Sequence, residues 1–133
     1  MKVAELMQTD ITCVRPDASV AEVIASLADA HVSGVPVVDG HGCMLGVISS
    51  TDVLVQEAEA HDAQARATLL ESTLAQDIMT PRPLTVAPDA EVRDAAREML
   101  YAEVHRLFVV TDQRLIGVVS TSDIVRAVAT GRL

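Results

Sequence analysis

The strongest constraint on this chain is a seven-residue pattern that occurs twice, at residues 46–52 (GVISSTD) and 117–123 (GVVSTSD). In each copy a glycine and two β-branched residues precede three hydroxyl residues and an aspartate. The apolar half predicts a short buried strand, and the hydroxyl-rich half predicts the N-terminus of a helix. A strand that runs directly into a helix aims backbone N–H groups and the positive end of the helix dipole at one spot. Because hydroxyls and a carboxylate lie beside that spot, we predict that each junction binds a ligand.

The repetition extends over most of the chain. A shift of 72 positions aligns Met7 with Met79 and Pro16 with Pro88, and one residue deleted in a turn then aligns the two junctions. Similarity in order and spacing indicates an internal duplication. We predict a first repeat at residues 1–56, a helical connector or linker at residues 57–73, and a second repeat at residues 74–133.

Each repeat is predicted to have the element order β-α-β-β-α. The first helix has apolar residues at i, i+3, i+4 and i+7, and its N-cap is Asp17 or Ser19 in the first repeat and Asp89 in the second. A hairpin follows, and helices from Thr51 and Ser122 close the repeats. One repeat alone does not bury its helix faces. The predicted fold class is therefore α/β (α+β), with two repeats packed face to face in pseudo-twofold symmetry.

The connector is predicted to extend the closing helix of the first repeat. Around Leu69, Leu70 and Leu74 it is predicted to add a short helical piece. Its acidic residues are interpreted as a solvated face, and we assign it no chemistry.

Composition narrows the classes of function. The net charge of −9 argues against nucleic acid as a partner, although it leaves room for a small anionic ligand held by local dipoles and arginines. No apolar run approaches the ~20 residues that span a bilayer. With no secretory apolar region at its start and with Cys13 and Cys43 outside any C-x-x-C motif, the chain is predicted to be cytoplasmic, with reduced thiols and no membrane partner.

We predict no enzyme and no metal site. The junction serines are not in a Gly-x-Ser-x-Gly elbow, and the chain has no Gly-Lys-Ser/Thr phosphate loop. The histidines show no repeated ligand spacing that would favour a metal.

In this order, the motifs resemble a tandem pair of CBS domains, the cystathionine β-synthase type, also called a Bateman module. The resemblance covers nearly everything except the connector. It is carried by DIMTP at residues 77–81, VAPDA at 86–90, VPVVD at 35–39 and the two Gly-x-x-Ser-x-x-Asp junctions. It implies a regulatory module, with no required cofactor, that binds an adenosine-containing ligand such as AMP, ADP, ATP, S-adenosylmethionine or NAD. It also implies a disc-like homodimer and a regulated partner protein that the sequence does not identify.

The resemblance also implies roles for individual residues. Asp52 and Asp123 would accept hydrogen bonds from the ribose hydroxyls, which suits an acceptor-only carboxylate. Ser49 and Ser120 would lie near the phosphate or ribose, where a hydroxyl can donate to phosphate. The other implied ligand-binding residues belong to the junctions (Thr51, Ser122), the adenine edge (Thr12, Val14, Thr85), the flanks of the ring (Val35, Pro36, Leu107) and the phosphate (His105, Arg106).

The two sites are predicted to be non-equivalent. The first repeat has Ser33 and Gly34 where the second has His105 and Arg106, so only the second supplies basic residues before its hairpin. A phosphorylated ligand would therefore need Arg106 or an arginine from a neighbouring subunit.

Each of these interpretations has a structural alternative. Ser-x-x-Asp at a helix start is also a capping box with Asp in place of Glu, a role that is compatible with binding. A second interpretation of Arg106 is an ion pair with Glu103 or Asp112 at a solvated strand entry. Met7 and Met79 are predicted to fill gaps in the core rather than contact a ligand. The alternative function is an interaction module that binds no ligand and only dimerises.

Overall fold

The computed structural model describes all residues from Met1 to Leu133, and the chain divides into two compact units. The first unit is Thr12–Pro83, and the second joins Met1–Ile11 to Leu84–Leu133. Each contains one three-stranded sheet with helices, so the predicted mixed fold with two repeats is confirmed. The predicted repeat boundaries follow the order of motifs along the chain, whereas the second compact unit also includes the residues that precede Thr12.

The first unit has an antiparallel sheet with strand order β1-β2-β3. Its core combines the apolar stripe of the first helix, including Val23 and Leu27, with Val35, Val37 and Ile48 from the hairpin. In chain order the elements are α1 (Val20–Ala30), β1 (Gly34–Val38), β2 (Met44–Ser49), α2 (Ser50–Glu59), α3 (Ala63–Ser72), α4 (Ala75–Ile78) and β3 (Thr80–Pro81).

The second unit has a mixed sheet in which β4 runs parallel to β5 and β5 runs antiparallel to β6. Its core joins Met99 of the long helix to Leu107, Val109 and Val119 of the hairpin, with Val3 from the start of the chain. The elements are a 3-10 turn (Val3–Glu5), β4 (Thr85–Val86), α5 (Val92–Ala102), β5 (Arg106–Thr111), β6 (Arg114–Ser120) and α6 (Thr121–Ala129). No helix of either unit is long and apolar enough to cross a membrane.

The duplication is present in the backbone as well as in the sequence. Each hairpin has its register shift at the same place, between Val37 and Val38 in the first and between Val109 and Val110 in the second. Helices α1 and α5 end at the equivalent residues His31 and Glu103, which both adopt the left-handed conformation, with φ of 53° and 56°. The two units are therefore copies of one fold in their irregular features too.

The N-caps of the long helices are predicted correctly in one repeat only. Ser19 caps α1 by accepting a hydrogen bond from the Glu22 amide at 3.2 Å. The prediction that Asp89 caps α5 is wrong, because the residue before α5 is Glu91 and no side chain caps this helix. Glu91 instead accepts a hydrogen bond from Lys2 Nζ at 2.8 Å, an interaction that lowers the pKa of its carboxyl group.

The leading extended segments also differ between the units. In the first unit only Val14 pairs, through one parallel bridge to Val37, whereas β4 of the second unit is a two-residue strand. The connector is more ordered than predicted, because α2 ends at Glu59 and α3 is a separate helix capped by Asp62. Leu69 is its buried residue.

A short edge segment beside each hairpin was not predicted. In the first unit β3 pairs with β2, with Thr80 opposite Val47. In the second unit the equivalent Gln8 bridges Val118, and their backbone N–H groups donate to each other's carbonyl oxygens at 2.8 and 2.9 Å. Both edge segments follow a methionine, and Met7 and Met79 pack against their cores as predicted.

The glycine of each repeated junction allows this edge segment to approach. A Cβ atom at Gly46 would lie 2.7 Å from both Met79 Sδ and the carbonyl oxygen of Thr80. A Cβ atom at Gly117 would lie 2.5 Å from Met7 Sδ. Real Cβ contacts are longer than these distances, so only glycine fits at both positions without a shift of the neighbouring segment.

We expect Gly46→Ala to destabilise the protein by roughly 1–3 kcal/mol, the usual cost of inserting a methyl group into a packed site. The new Cβ meets a backbone oxygen, which cannot move without disturbing β3. Urea unfolding measures the change. Gly40→Ala is the control, because its Cβ meets only the flexible end of Arg15, at 3.2 Å. Equal stability of the two variants would contradict the requirement for glycine at position 46.

Candidate ligand-binding site

The two repeated junctions have no loop between strand and helix. Strand β2 ends at Ser49 and α2 begins at Ser50, and β6 ends at Ser120 and α6 begins at Thr121. The first N–H groups of a helix have no partner within the helix and point beyond its end. At each junction the first of these amides donates to a backbone carbonyl, Ser50 to Ser33 at 2.8 Å and Thr121 to His105 at 2.9 Å. The hydroxyl and carboxylate side chains of the motif lie next to these amides.

The serine and aspartate of each motif form a reciprocal capping box. In the first unit, the Asp52 amide donates to Ser49 Oγ at 3.1 Å, and the Ser49 amide donates to Asp52 Oδ2 at 2.8 Å. In the second unit, the corresponding distances for Ser120 and Asp123 are 3.1 and 2.9 Å. The capping interpretation is thus confirmed in both repeats, and the same bonds fix the position of each carboxylate.

The second carboxylate oxygen has different surroundings in the two units. In the first, Asp52 is half-buried, and Thr80 Oγ1 lies 3.5 Å from both of its oxygens. In the second, Asp123 is only 4% exposed, and its Oδ1 accepts from Gln8 Nε2 at 2.8 Å and from Arg126 Nη1 at 3.5 Å. Asp123 is the buried charged residue of this chain, and its neighbours provide a donor for each oxygen.

A cavity of about 310 Å³ lies beside Asp123 within the second unit. One face of α6 and the N-terminal segment form its walls, and two arginines give it a net basic lining. The lining residues are Leu6, Gln8, Asp123, Arg126, Ala127, Thr130 and Arg132. Arg126 and Arg132 were missed from the sequence, because they lie outside the repeated pattern.

The residues predicted at the adenine edge are partly committed to the sheet. The Val14 amide donates to the Pro36 carbonyl at 3.0 Å, and its carbonyl accepts from Val38 at 2.9 Å. The Val14 amide is therefore not available to donate to a base, whereas the side chains of Thr12 and Thr85 are exposed. Thr51 and Ser122, in the first turn of their helices, are exposed as well.

The residues predicted to flank the ring belong to the cores. Val35 and Leu107 are fully buried among the apolar residues of their own units, and Pro36 is buried too. Residues 34–37 of β1 and 107–109 of β5 are all buried, so both faces of these strands are covered. A ligand contact at these positions would have to come from the backbone.

The predicted phosphate-binding pair lies at the start of β5. The carbonyl oxygen of His105 accepts a hydrogen bond from the Thr121 amide at 2.9 Å, which ties the hairpin entry to the start of α6. The Arg106 guanidinium lies 5.9 Å from the centroid of the Phe108 ring, within range of a cation–π contact. Its burial lowers the pKa of the guanidinium, although arginine stays charged.

The chain was compared with known proteins. The family model of the CBS domain matches residues 3–58 and again residues 75–130. The chloroplastic CBS domain-containing protein CBSX2 of Arabidopsis thaliana is 31% identical over 135 residues, which cover 86% of this chain and 57% of CBSX2. An inosine-5'-monophosphate dehydrogenase of Methanocaldococcus jannaschii is 30% identical over 126 residues, covering 94% of this chain and 23% of the dehydrogenase. This chain therefore spans little more than half of CBSX2 and a much smaller share of the enzyme.

Solved structures show the same fold. The crystal structure of CBSX2 in complex with AMP gives a TM-score of 0.84 at 31% identity, covering 99% of this chain and 98% of that chain. The CBS domain pair of protein MJ0100, in complex with 5'-methylthioadenosine and S-adenosyl-L-methionine, gives 0.78 at 23% identity and covers 98% of both chains.

A duplicated α+β unit with a strand-to-helix junction in each copy defines a tandem domain pair. The chain belongs to the CBS domain family and carries two CBS domains. The resemblance inferred from the motifs is confirmed.

We expect Ser120→Ala to lower the free energy of unfolding by about 1 kcal/mol, because it removes the side-chain acceptor for the Asp123 amide. Chemical denaturation monitored by circular dichroism measures the loss. Ser122→Ala on the same helix is the control, since its side chain is exposed and exposed substitutions usually change stability by less than about 0.5 kcal/mol. A smaller loss for Ser120→Ala than for Ser122→Ala would contradict the capping role.

Proposed function

We propose that this chain is a regulatory module that binds an adenosine-containing ligand at its two junctions. One observation carries the proposal: the Ser–Asp capping box occurs twice with nearly the same geometry and holds a carboxylate at a helix N-terminus. The ligand class is supported by CBSX2, which is 31% identical and was solved with AMP. The ligand acts as a signal and is not a required cofactor.

The chemistry of the junction suits a ribose. An ionised carboxylate only accepts hydrogen bonds, and the two adjacent hydroxyls of a ribose can donate to it together. Asp52 and Asp123 are proposed to bind this diol, with Ser49, Ser120, Thr51 and Ser122 beside it. His105 and Arg106 are proposed to bind the phosphate, where a charged donor strengthens the hydrogen bond.

The proposed role is non-catalytic. The matching segment covers 23% of the related dehydrogenase, so it is a minor part of that enzyme. We propose that ligand binding changes the affinity of this module for a regulated protein, which requires the ligand to bind two conformations unequally. The cytoplasm is the proposed compartment, because neither Cys13 nor Cys43 is part of a disulfide.

We expect the purified, nucleotide-stripped protein to bind at least one of AMP, ADP, ATP, S-adenosylmethionine and NAD saturably in isothermal titration calorimetry. Asp52→Asn keeps an acceptor for the cap but loses the charge, and should weaken binding at its junction about tenfold or more, as expected for a lost charged hydrogen bond. Asp62→Asn is the matched control, because Asp62 also caps a helix but lies at neither junction. Folded protein that binds none of the five ligands would overturn the proposal.

A second candidate function, dimerisation, is favoured by an exposed apolar face on α5 and α6. Leu100 is 80% exposed and Val125 66%. Between these helices lies a groove of about 640 Å³ whose lining includes Met99 and Ile124. Contiguous apolar surface of this kind is typical of protein interaction sites. We propose that this face joins two copies of the chain in a homodimer.

We expect Leu100→Glu to shift the protein from dimer to monomer in size-exclusion chromatography with light scattering, because it places a charge on the apolar face. Leu84→Glu is the control, since Leu84 is an exposed leucine outside that face. If the parent protein is already monomeric, or if its dimer is unaffected by Leu100→Glu, this face is not a dimer interface.

A further inference from the structure

Two equivalent residues, Gln8 and Thr80, contact the junction carboxylates. Each directly follows one of the paired methionines and lies on the edge segment beside the last strand of its hairpin. The shift of 72 that aligns Met7 with Met79 also aligns these two residues. The repeats have thus placed an amide side chain at one junction and a hydroxyl at the other.

Gln8 holds its carboxylate more closely than Thr80 does. Gln8 Nε2 lies 2.8 Å from Asp123 Oδ1, an ordinary hydrogen-bond length. Thr80 Oγ1 lies 3.5 Å from each oxygen of Asp52, which is a long and weak contact. Gln8 is fixed through its backbone to Val118, but its side chain is exposed and can change rotamer without moving the strand.

The two carboxylates differ in how many hydrogen bonds their oxygens already accept. Each carboxylate oxygen accepts about two hydrogen bonds. At Asp123, Oδ2 accepts from the Ser120 amide at 2.9 Å and Oδ1 accepts from Gln8 at 2.8 Å, so each oxygen has one short hydrogen bond; the Arg126 contact to Oδ1, at 3.5 Å, is as long as that of Thr80. At Asp52, Oδ2 accepts from the Ser49 amide, and only the weak Thr80 contact competes for the rest. A pair of ligand hydroxyls therefore meets one oxygen without a short hydrogen bond at Asp52, Oδ1, and none at Asp123.

We propose that Gln8 is an internal competitor for the ligand hydroxyls at Asp123, so that the Asp52 junction binds an adenosine ligand more tightly. This inference rests on the proposed function and adds the order in which the two junctions bind the ligand. A ligand hydroxyl that takes the place of Gln8 on Asp123 Oδ1 must displace its amide from a buried carboxylate oxygen. The same displacement frees the side chain of Gln8 from Asp123. Ligand binding at the Asp123 junction therefore removes a contact of the N-terminal segment.

The test compares the two junctions one at a time. Asp52→Asn leaves Asp123 as the intact carboxylate, and Asp123→Asn leaves Asp52. In the Asp52→Asn background, Gln8→Thr should tighten AMP binding about tenfold, the scale expected for one hydrogen bond to a charged group. In the Asp123→Asn background, the reciprocal Thr80→Gln should weaken AMP binding by a similar factor. Calorimetry gives both affinities and the stoichiometry.

Thermal melts show whether each variant is folded. The reciprocal exchange, Thr80→Gln, tests the inference independently if Gln8→Thr proves unstable. Tighter binding in one background and weaker binding in the other is expected. If both single-junction proteins bind AMP equally and neither exchange at position 8 or 80 changes the affinity, the inference is overturned while the proposed function stands. If neither the parent protein nor any folded variant binds an adenosine ligand, both the inference and the proposed function are overturned.

Discussion

The absence of a side chain at Gly46 and Gly117 is the constraint on which the rest of each unit depends. Each glycine lies under a methionine of the neighbouring edge segment, and a Cβ atom at either position would enter that methionine. The approach completes the sheet edge and brings Thr80 or Gln8 to the carboxylate of the same motif. One glycine therefore determines both how the sheet is completed and what surrounds the charged group.

The capping box then makes each carboxylate rigid. Two reciprocal hydrogen bonds hold Asp52 and Asp123 at the first turn of α2 and α6, where the helix dipole favours a negative group. Stability and the proposed ligand binding use the same atoms at these positions. The sequence predicts capping as a role compatible with binding, and in the structure the cap is what positions the carboxylate.

Repetition made most of the fold predictable, because hairpins, long helices and junctions all appear twice in the same order. The predictions failed where one copy departs from the other. Asp89 was taken for a cap because an aspartate precedes both helices, but Glu91 occupies the position of Ser19 and binds Lys2 instead. The partners Gln8 and Thr80 could have been found from the shift that aligns the methionines. Arg126 and Arg132 could not, since their neighbourhood depends on the tertiary packing of α6 and the N-terminal segment.

The membership of Met1–Ile11 in the second unit has a consequence for synthesis on the ribosome. Thr12–Pro83 is continuous in sequence, so this unit can close as soon as it has emerged. The other unit must join Met1–Ile11 to Leu84–Leu133, which are separated in sequence by the whole of Thr12–Pro83. Such distant contacts close slowly, because a long loop loses entropy before any contact is gained. Until residue 118 is available to Gln8, the edge segment that carries it has no strand to pair with, and the nascent chain exposes an unpaired backbone to chaperones and to its neighbours.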